Sequence, residues 1–272
     1  MRRELHGDAP PIFIGGAGRS GTTLLRVILD SHPAIACGPE LKVLPELGQL
    51  WHTFQSDYRA PLARYGLDSA LIDGLFREMI LGLLEGHRRG RGKARIAEKS
   101  PNNVFVFAHL HQMFPESPLV HVIRDGRDVV ASLLRMEWTA SDGEPLAYTQ
   151  DAGQAARYWC NAVNAGRMVR ESRSMARRYC EVRYEELVTA PTVALTRLFA
   201  QIGEPWDPTV LAFHKEKREL AGESSAAQVA RPLYQSSIGR WRQALTPAQC
   251  ATVKETAGEL LIELGYAEGL AW

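Results

Sequence analysis

The sequence predicts an α/β fold, a three-layer arrangement with a central parallel sheet flanked by helices. Three observations carry this. Short apolar runs alternate along the chain with longer segments of helical periodicity, as in βαβ units. The best of these runs, Leu119 to Ile123, is apolar but for His121, as strands buried on both faces are. Glycine-rich or polar clusters follow directly after four of the runs, where an open parallel sheet presents its ligand sites.

Taken in order, Ile12-Phe13-Ile14 reads as a buried strand, followed by a glycine turn from Gly15 to Gly21. Thr22 and Thr23 then lead into a helix ending near His32-Pro33. Strand, glycine turn and helix together aim backbone N–H groups and a helix N-terminus at an anion. Ala34 to Cys37 is a short second strand that stops at Gly38-Pro39-Glu40. Lys42 to about Tyr65 and Leu67 to about Arg89 read as helices, with Leu71, Ile72, Leu75, Phe76, Met79, Ile80 and Leu83 assigned to the core. A strand beginning at Arg95 delivers Glu98-Lys99-Ser100-Pro101-Asn102-Asn103, and a helix follows from Val104 to Met113. The Leu119–Ile123 strand delivers Arg124 to Asp128. Asp125 is expected to cap the next helix, which carries Ser132, and Arg127 to assist the site. Leu146 to about Met175 reads as one helix, Tyr179 to Arg183 as a strand, and Tyr184 opens a segment helical through Ile202. Residues 215–239 lack periodicity, and a loop that long in a compact domain is usually functional. Thr246-Pro247-Ala248-Gln249 is a capping box with proline at the first helical position, starting a helix to about Leu264.

The 272 residues suit one domain, 1–272, in which a helical insert at about 42–92 and the 215–239 loop shape a ligand site. Hydrophobic residues make up 45% and charged residues 23%, with a net charge of +1. Such a balance fits a globular protein and gives no field calling for nucleic acid. Arg2 and Arg3 precede no apolar core, so no secretory signal is expected. No apolar run approaches the roughly 20 residues of a membrane span. Cys37, Cys160, Cys180 and Cys250 are scattered without paired spacing, which argues against zinc and against a disulfide framework. Reduced thiols, a cytoplasmic location and no metal are the expectations.

The glycine turn nearly matches the triphosphate P-loop. Gly16 to Thr23 reads G-AGRS-G-T-T, with Thr22 where the motif requires lysine. That lysine neutralises charge between β- and γ-phosphates, so its absence points to a single 5′-phosphate group. Arg19 inside the loop can fork onto it. Arg124 and Ser132, eight positions apart, pair to clamp a second phosphate. Two alternatives stay open: a P-loop kinase of a small metabolite, and a non-catalytic nucleotide-binding protein.

On these residues the chain resembles the sulfotransferases that use 3′-phosphoadenosine 5′-phosphosulfate. The likeness lies in Arg19 to Thr23 with the downstream His32-Pro33, in Arg124 and Ser132 within IRDGRDVVASL, and in RYEEL. SxxGRW (Ser236 to Trp241) and ELGY match less strongly. It implies that Arg19, Ser20, Gly21, Thr22 and Thr23 hold the 5′-phosphosulfate. It further implies Arg124 and Ser132, joined by Arg231, at the 3′-phosphate, Tyr184 near the adenosine, and Lys99 bridging donor and acceptor. The product is then adenosine 3′,5′-bisphosphate.

Within that family, CGPELKVLPEL resembles the CGEE segment of tyrosylprotein sulfotransferases and aligns Glu40 with the glutamate that deprotonates the phenol. Ser100-Pro101 follow Lys99 where other members carry a histidine. The resemblance therefore implies in-line displacement with Glu40 as general base and Lys99 and Arg19 stabilising charge, on a small-molecule or peptide acceptor. Glu40 also reads as a helix-start acid complementing the dipole. Cys37 resembles half of a family disulfide, but Ala97 or Glu98 stands at the partner position, and Ser172 stands near the mate of Cys180. The chain is compatible with a homodimer without specifying one.

Overall fold

Five strands, β1 (Ile12–Gly15), β2 (Ile35–Cys37), β3 (Arg95–Lys99), β4 (Leu119–Ile123) and β5 (Tyr179–Arg183), form one sheet in the order β2-β3-β1-β4-β5. Every pairing is parallel. The computed structural model describes residues 9–140, 142–216, 218 and 223–272. The reading of the N-terminus at Arg2 and Arg3 falls outside the described residues, as do positions 217 and 219–222 of the aperiodic stretch.

Helices follow the strands in chain order. After β1 comes α1 (Thr22–Asp30), and after β2 come α2 (Leu44–Ser56), α3 (Arg59–Ala63) and α4 (Ser69–Gly90). A 3-10 helix (Pro101–Val106) and α5 (Phe107–Met113) follow β3. After β4 come α6 (Gly126–Leu133), α7 (Ala147–Gln150), α8 (Ala152–Met168) and α9 (Arg173–Ala176). After β5 come α10 (Tyr184–Thr189), α11 (Pro191–Ile202), α12 (Ala226–Val229), α13 (Trp241–Ala244) and α14 (Pro247–Glu263).

Alternation along the strands sorts side chains to the two sheet faces. Phe13, Ala36, Ile96, Leu119 and Ile123 join a core with residues of α2, α4, α5, α6, α8 and α14. Ile12, Ile14, Ile35, Cys37, Ala97, Val120 and Val122 join the opposite core with α1 and α11. The result is the helix–sheet–helix layering expected from the pattern. The Thr246 capping box forms: the Gln249 N–H donates to Thr246 Oγ1 (3.2 Å), and the Thr246 N–H to Gln249 Oε1 (2.9 Å).

Three details differ from the sequence reading. The helix expected over 42–65 breaks between α2 and α3. The helix expected over 146–175 is interrupted because Asp151 caps a new start, accepting the Gln154 N–H at 2.8 Å. In α4, Ile72, Phe76 and Ile80 are core, but Leu71, Leu75, Met79 and Leu83 are 45–53% exposed. Adjacent rows of a helix diverge by about 100°, and the neighbouring layers cover only one of the two. The four cysteines are free thiols. Among the described residues no helix is long and apolar enough to cross a membrane.

Candidate active site

Beyond β1 the backbone takes conformations that side chains resist. Gly16 has φ 155°, and a Cβ there would lie 2.4 Å from the Val122 carbonyl oxygen. Gly21 caps α1 at φ 97°, and a Cβ there would lie 2.5 Å from Tyr184 Cδ2. Arg19 sits at φ 72° without being glycine, the kind of strain that concentrates at functional sites. The N-cap residue of α1, Gly21, has no side chain to cap the helix and no acid lies in the first turn, so its positive pole suits an anion. The Gly18 N–H donates to the Tyr158 hydroxyl at 2.9 Å. Ser20 Oγ is buried with no partner among the described residues.

Around this loop the cations converge. Arg19 Nε donates to Ser132 Oγ (3.1 Å), and its Nη1 to Ser224 Oγ (2.7 Å) and Ser225 Oγ (2.9 Å). Arg124 donates to the Arg19 carbonyl (3.1 Å) and the Ser237 carbonyl (2.5 Å), and lies 4.5 Å over the Tyr184 ring. Arg124 Nε is buried without a partner among the described residues. Burial first, then the charge of Arg124, hold the Arg19 guanidinium below its ordinary pKa. Two guanidinium groups in so little water are relieved by an anion. A cavity of about 880 Å³ is bounded by Arg19, Glu40, Arg124, Ser132, Tyr184 and Arg231, among others.

Strand register brings the remaining groups to the same edge. Ile14 pairs with Lys99, and Cys37 with Ala97, so the ends of β1, β2 and β3 lie side by side. Lys99 is wholly inaccessible, with Nζ 2.5 Å from Glu40 Oε1, 3.2 Å from Thr23 Oγ1 and 3.6 Å from Glu223 Oε2. Glu98 ties the segment after β2 to the end of β3. Its carboxylate accepts from Ser100 Oγ (2.7 Å), Asn103 Nδ2 (2.5 Å) and the Leu41 N–H (3.4 Å). Burial raises its pKa. Lys42, at φ 61°, donates its N–H to Ser100 Oγ at 3.1 Å. Glu40 is thus clamped beside Lys99.

The model of a sulfotransferase family matches residues 10–208. This chain belongs to the sulfotransferase family. It is an enzyme of sulfuryl transfer. Protein-tyrosine sulfotransferase A of Caenorhabditis elegans is 30% identical over 270 residues, covering 95% of this chain and 67% of that protein. The Drosophila melanogaster protein-tyrosine sulfotransferase is 28% identical over 86% of this chain, which spans about half (47%) of that relative's length. Among solved structures, the sulfotransferase domain from the curacin biosynthetic pathway shares the fold. Its TM-score is 0.64 at 20% identity, over 94% of this chain and 98% of that domain.

In this sulfotransferase, Arg19, Gly21, Thr22, Thr23, Glu40, Arg124, Ser132, Tyr184 and Arg231 all line one cavity, with Ser20 and Lys99 buried behind it. Arg231 stacks over Tyr234 at 4.2 Å. Arg127 departs from expectation. Its guanidinium pairs with Asp125 (2.8 Å) and the Tyr266 carbonyl (2.5 Å) between the rings of Trp241 and Trp272, so it braces α6 against the C-terminus. Asp125 caps α6 as expected, accepting the Arg127 N–H at 2.9 Å. Sequence reasoning missed Arg26, Tyr158, Glu223 and the two serines on Arg19. The weak signal for the serines was their place in the aperiodic stretch; Tyr158 sits in an ordinary helical pattern and gave none.

Proposed function

We propose that this sulfotransferase moves a sulfuryl group from 3′-phosphoadenosine 5′-phosphosulfate to an acceptor hydroxyl, by in-line displacement. One observation carries the reading: two sets of anion-seeking cations line a cavity with Glu40, whose lysine partner is buried directly behind it. The residues fit such a donor. Glycines at 16 and 21 leave room that a Cβ would fill, and Ser20 Oγ and Arg124 Nε are buried donors still wanting acceptors.

Under this reading the N–H groups of the loop and α1, with Arg19, Ser20, Thr22 and Thr23, hold the 5′ end. Arg124, Ser132 and Arg231 hold the 3′-phosphate, and Tyr184 packs near the adenosine. When bound, the donor supplies the sulfuryl group. Glu40 takes the proton of the acceptor hydroxyl, and the Lys99 ammonium and Arg19 guanidinium stabilise developing negative charge. Most of the rate enhancement comes from this prior alignment. The α2–α4 insert and residues 223–239 shape the acceptor end. The names of the curated relatives make a peptide tyrosine the acceptor to test first, with free phenols second.

Incubation with donor labelled in its sulfuryl group tests the reading. Transfer to a tyrosine peptide or a simple phenol, with release of adenosine 3′,5′-bisphosphate, is expected. Absence of transfer from this donor, with transfer of phosphate from ATP instead, overturns it.

A further inference from the structure

Four charged side chains of alternating sign run in a line beneath the glycine loop. Arg26 Nη2 lies 2.6 Å from Glu223 Oε1, Glu223 Oε2 lies 3.6 Å from Lys99 Nζ, and Lys99 Nζ lies 2.5 Å from Glu40 Oε1. The first three side chains are at most 5% exposed, whereas Glu40 is 23% exposed. Glu40, the most exposed of the four, opens onto the cavity, and Glu223 borders it while almost wholly buried. Its far end is fixed, since Arg26 Nη1 donates to the Cys37 carbonyl at 3.2 Å, where β2 ends.

The chemistry proposed above asks Glu40 to turn from Lys99 to the acceptor proton. A fully buried ammonium that loses its only carboxylate is left as an uncompensated charge, which proteins tolerate badly. Here a second carboxylate stays behind. We propose that Glu223 is a positioning residue: anchored by Arg26, it keeps the Lys99 ammonium beside Thr23 and next to the donor while Glu40 is occupied with the acceptor. The inference rests on the reading of Glu40 and Lys99 given above. It assigns work to a residue pair, Arg26 and Glu223, that donor binding itself does not require.

Glu223→Gln keeps the volume and removes the charge. The full chain is assayed with labelled donor and a phenolic acceptor, and adenosine 3′,5′-bisphosphate is titrated by calorimetry. The expected result is a kcat lower by about 10- to 100-fold, as for the loss of other orienting partners, with acceptor KM and affinity for the bisphosphate preserved. Glu223→Asp, which keeps the charge, recovers most of the kcat. Should Glu223 merely pin the neighbouring Ser224 and Ser225 to Arg19, Glu223→Gln weakens the bisphosphate and leaves kcat intact, and the proposal is overturned. Where the wild type binds the bisphosphate and turns over, a kcat of Glu223→Gln equal to that of wild type overturns this proposal alone. A wild type that ignores the bisphosphate removes the donor reading and this proposal with it.

Discussion

Lys99 reaches Glu40 across the boundary between β3 and the segment that follows β2, with Nζ 2.5 Å from Oε1. One partner is sealed in the protein and the other faces the cavity. A buried cation thus holds a reachable carboxylate beside the loop. Glu40→Gln is expected to lower kcat by about 10²- to 10⁴-fold, the usual share of a general base. Calorimetry should show the affinity for adenosine 3′,5′-bisphosphate unchanged. Turnover within a few-fold of wild type would remove Glu40 from the mechanism.

Lys99→Met acts on stability as well as on rate. It deprives Glu40 of its partner and leaves the almost wholly buried Glu223 carboxylate with Arg26 alone. Breaking a buried pair from one side costs about 3–5 kcal/mol. Because Arg26 still neutralises Glu223, urea denaturation followed by circular dichroism should show a loss near or below the lower end of that range, and Glu40→Gln should cost less again because Glu40 is the more exposed partner.

Arg124 separates the two ends of the nucleotide. Losing a charge-assisted hydrogen bond costs about 1.5–3 kcal/mol, or roughly 10- to 100-fold in affinity. Arg124→Gln should weaken adenosine 3′,5′-bisphosphate by that factor in calorimetry while leaving adenosine 5′-monophosphate unaffected. Equal weakening of both ligands would move Arg124 away from the 3′-phosphate.

Gly16→Ala places a Cβ against the Val122 carbonyl at a positive φ. The obstacle is backbone of the central sheet and cannot swing aside. A loss of about 1–3 kcal/mol in chemical denaturation is expected, together with loss of bisphosphate binding.

His121 sets an acid limb on stability. Burial, with a smaller contribution from Arg167, pushes its pKa down to about 3 from 6.5, and its Nδ1 lies 2.7 Å from the Tyr179 hydroxyl. The folded ring stays neutral while the unfolded ring charges, so the unfolded state binds more protons between those values. Stability is therefore full above about pH 6.5 and falls as pH drops towards 3, at up to about 1.4 kcal/mol per pH unit. His121→Gln should flatten that slope in denaturation curves taken across the window.

What was legible in the chain was local. Ile12-Phe13-Ile14, the glycine turn and Leu119 to Ile123 carry strand and loop signals in consecutive residues, so the parallel sheet and the polar cluster at its edge followed from pattern alone. The meeting of Glu40 with Lys99 needed more, because 59 positions separate them; only the pairing of β2 with β3 explains it. The contacts of Glu223 and of the serines on Arg19 were not readable beyond their place in the aperiodic stretch, since their partners lie about 120 to 206 positions away. The α4 ridge misled for the opposite reason. Leu71 and Ile72 look alike in sequence, and which row is covered depends on the neighbouring layers.

The central claim is that the loop and Arg124 together read a nucleotide phosphorylated at both 3′ and 5′ positions. Calorimetric titration of the full chain with adenosine 3′,5′-bisphosphate, and separately with ATP and magnesium, tests it most directly. The account predicts saturable binding of the bisphosphate and none of ATP-magnesium at the same concentrations. Binding of ATP-magnesium with no response to the bisphosphate would contradict it.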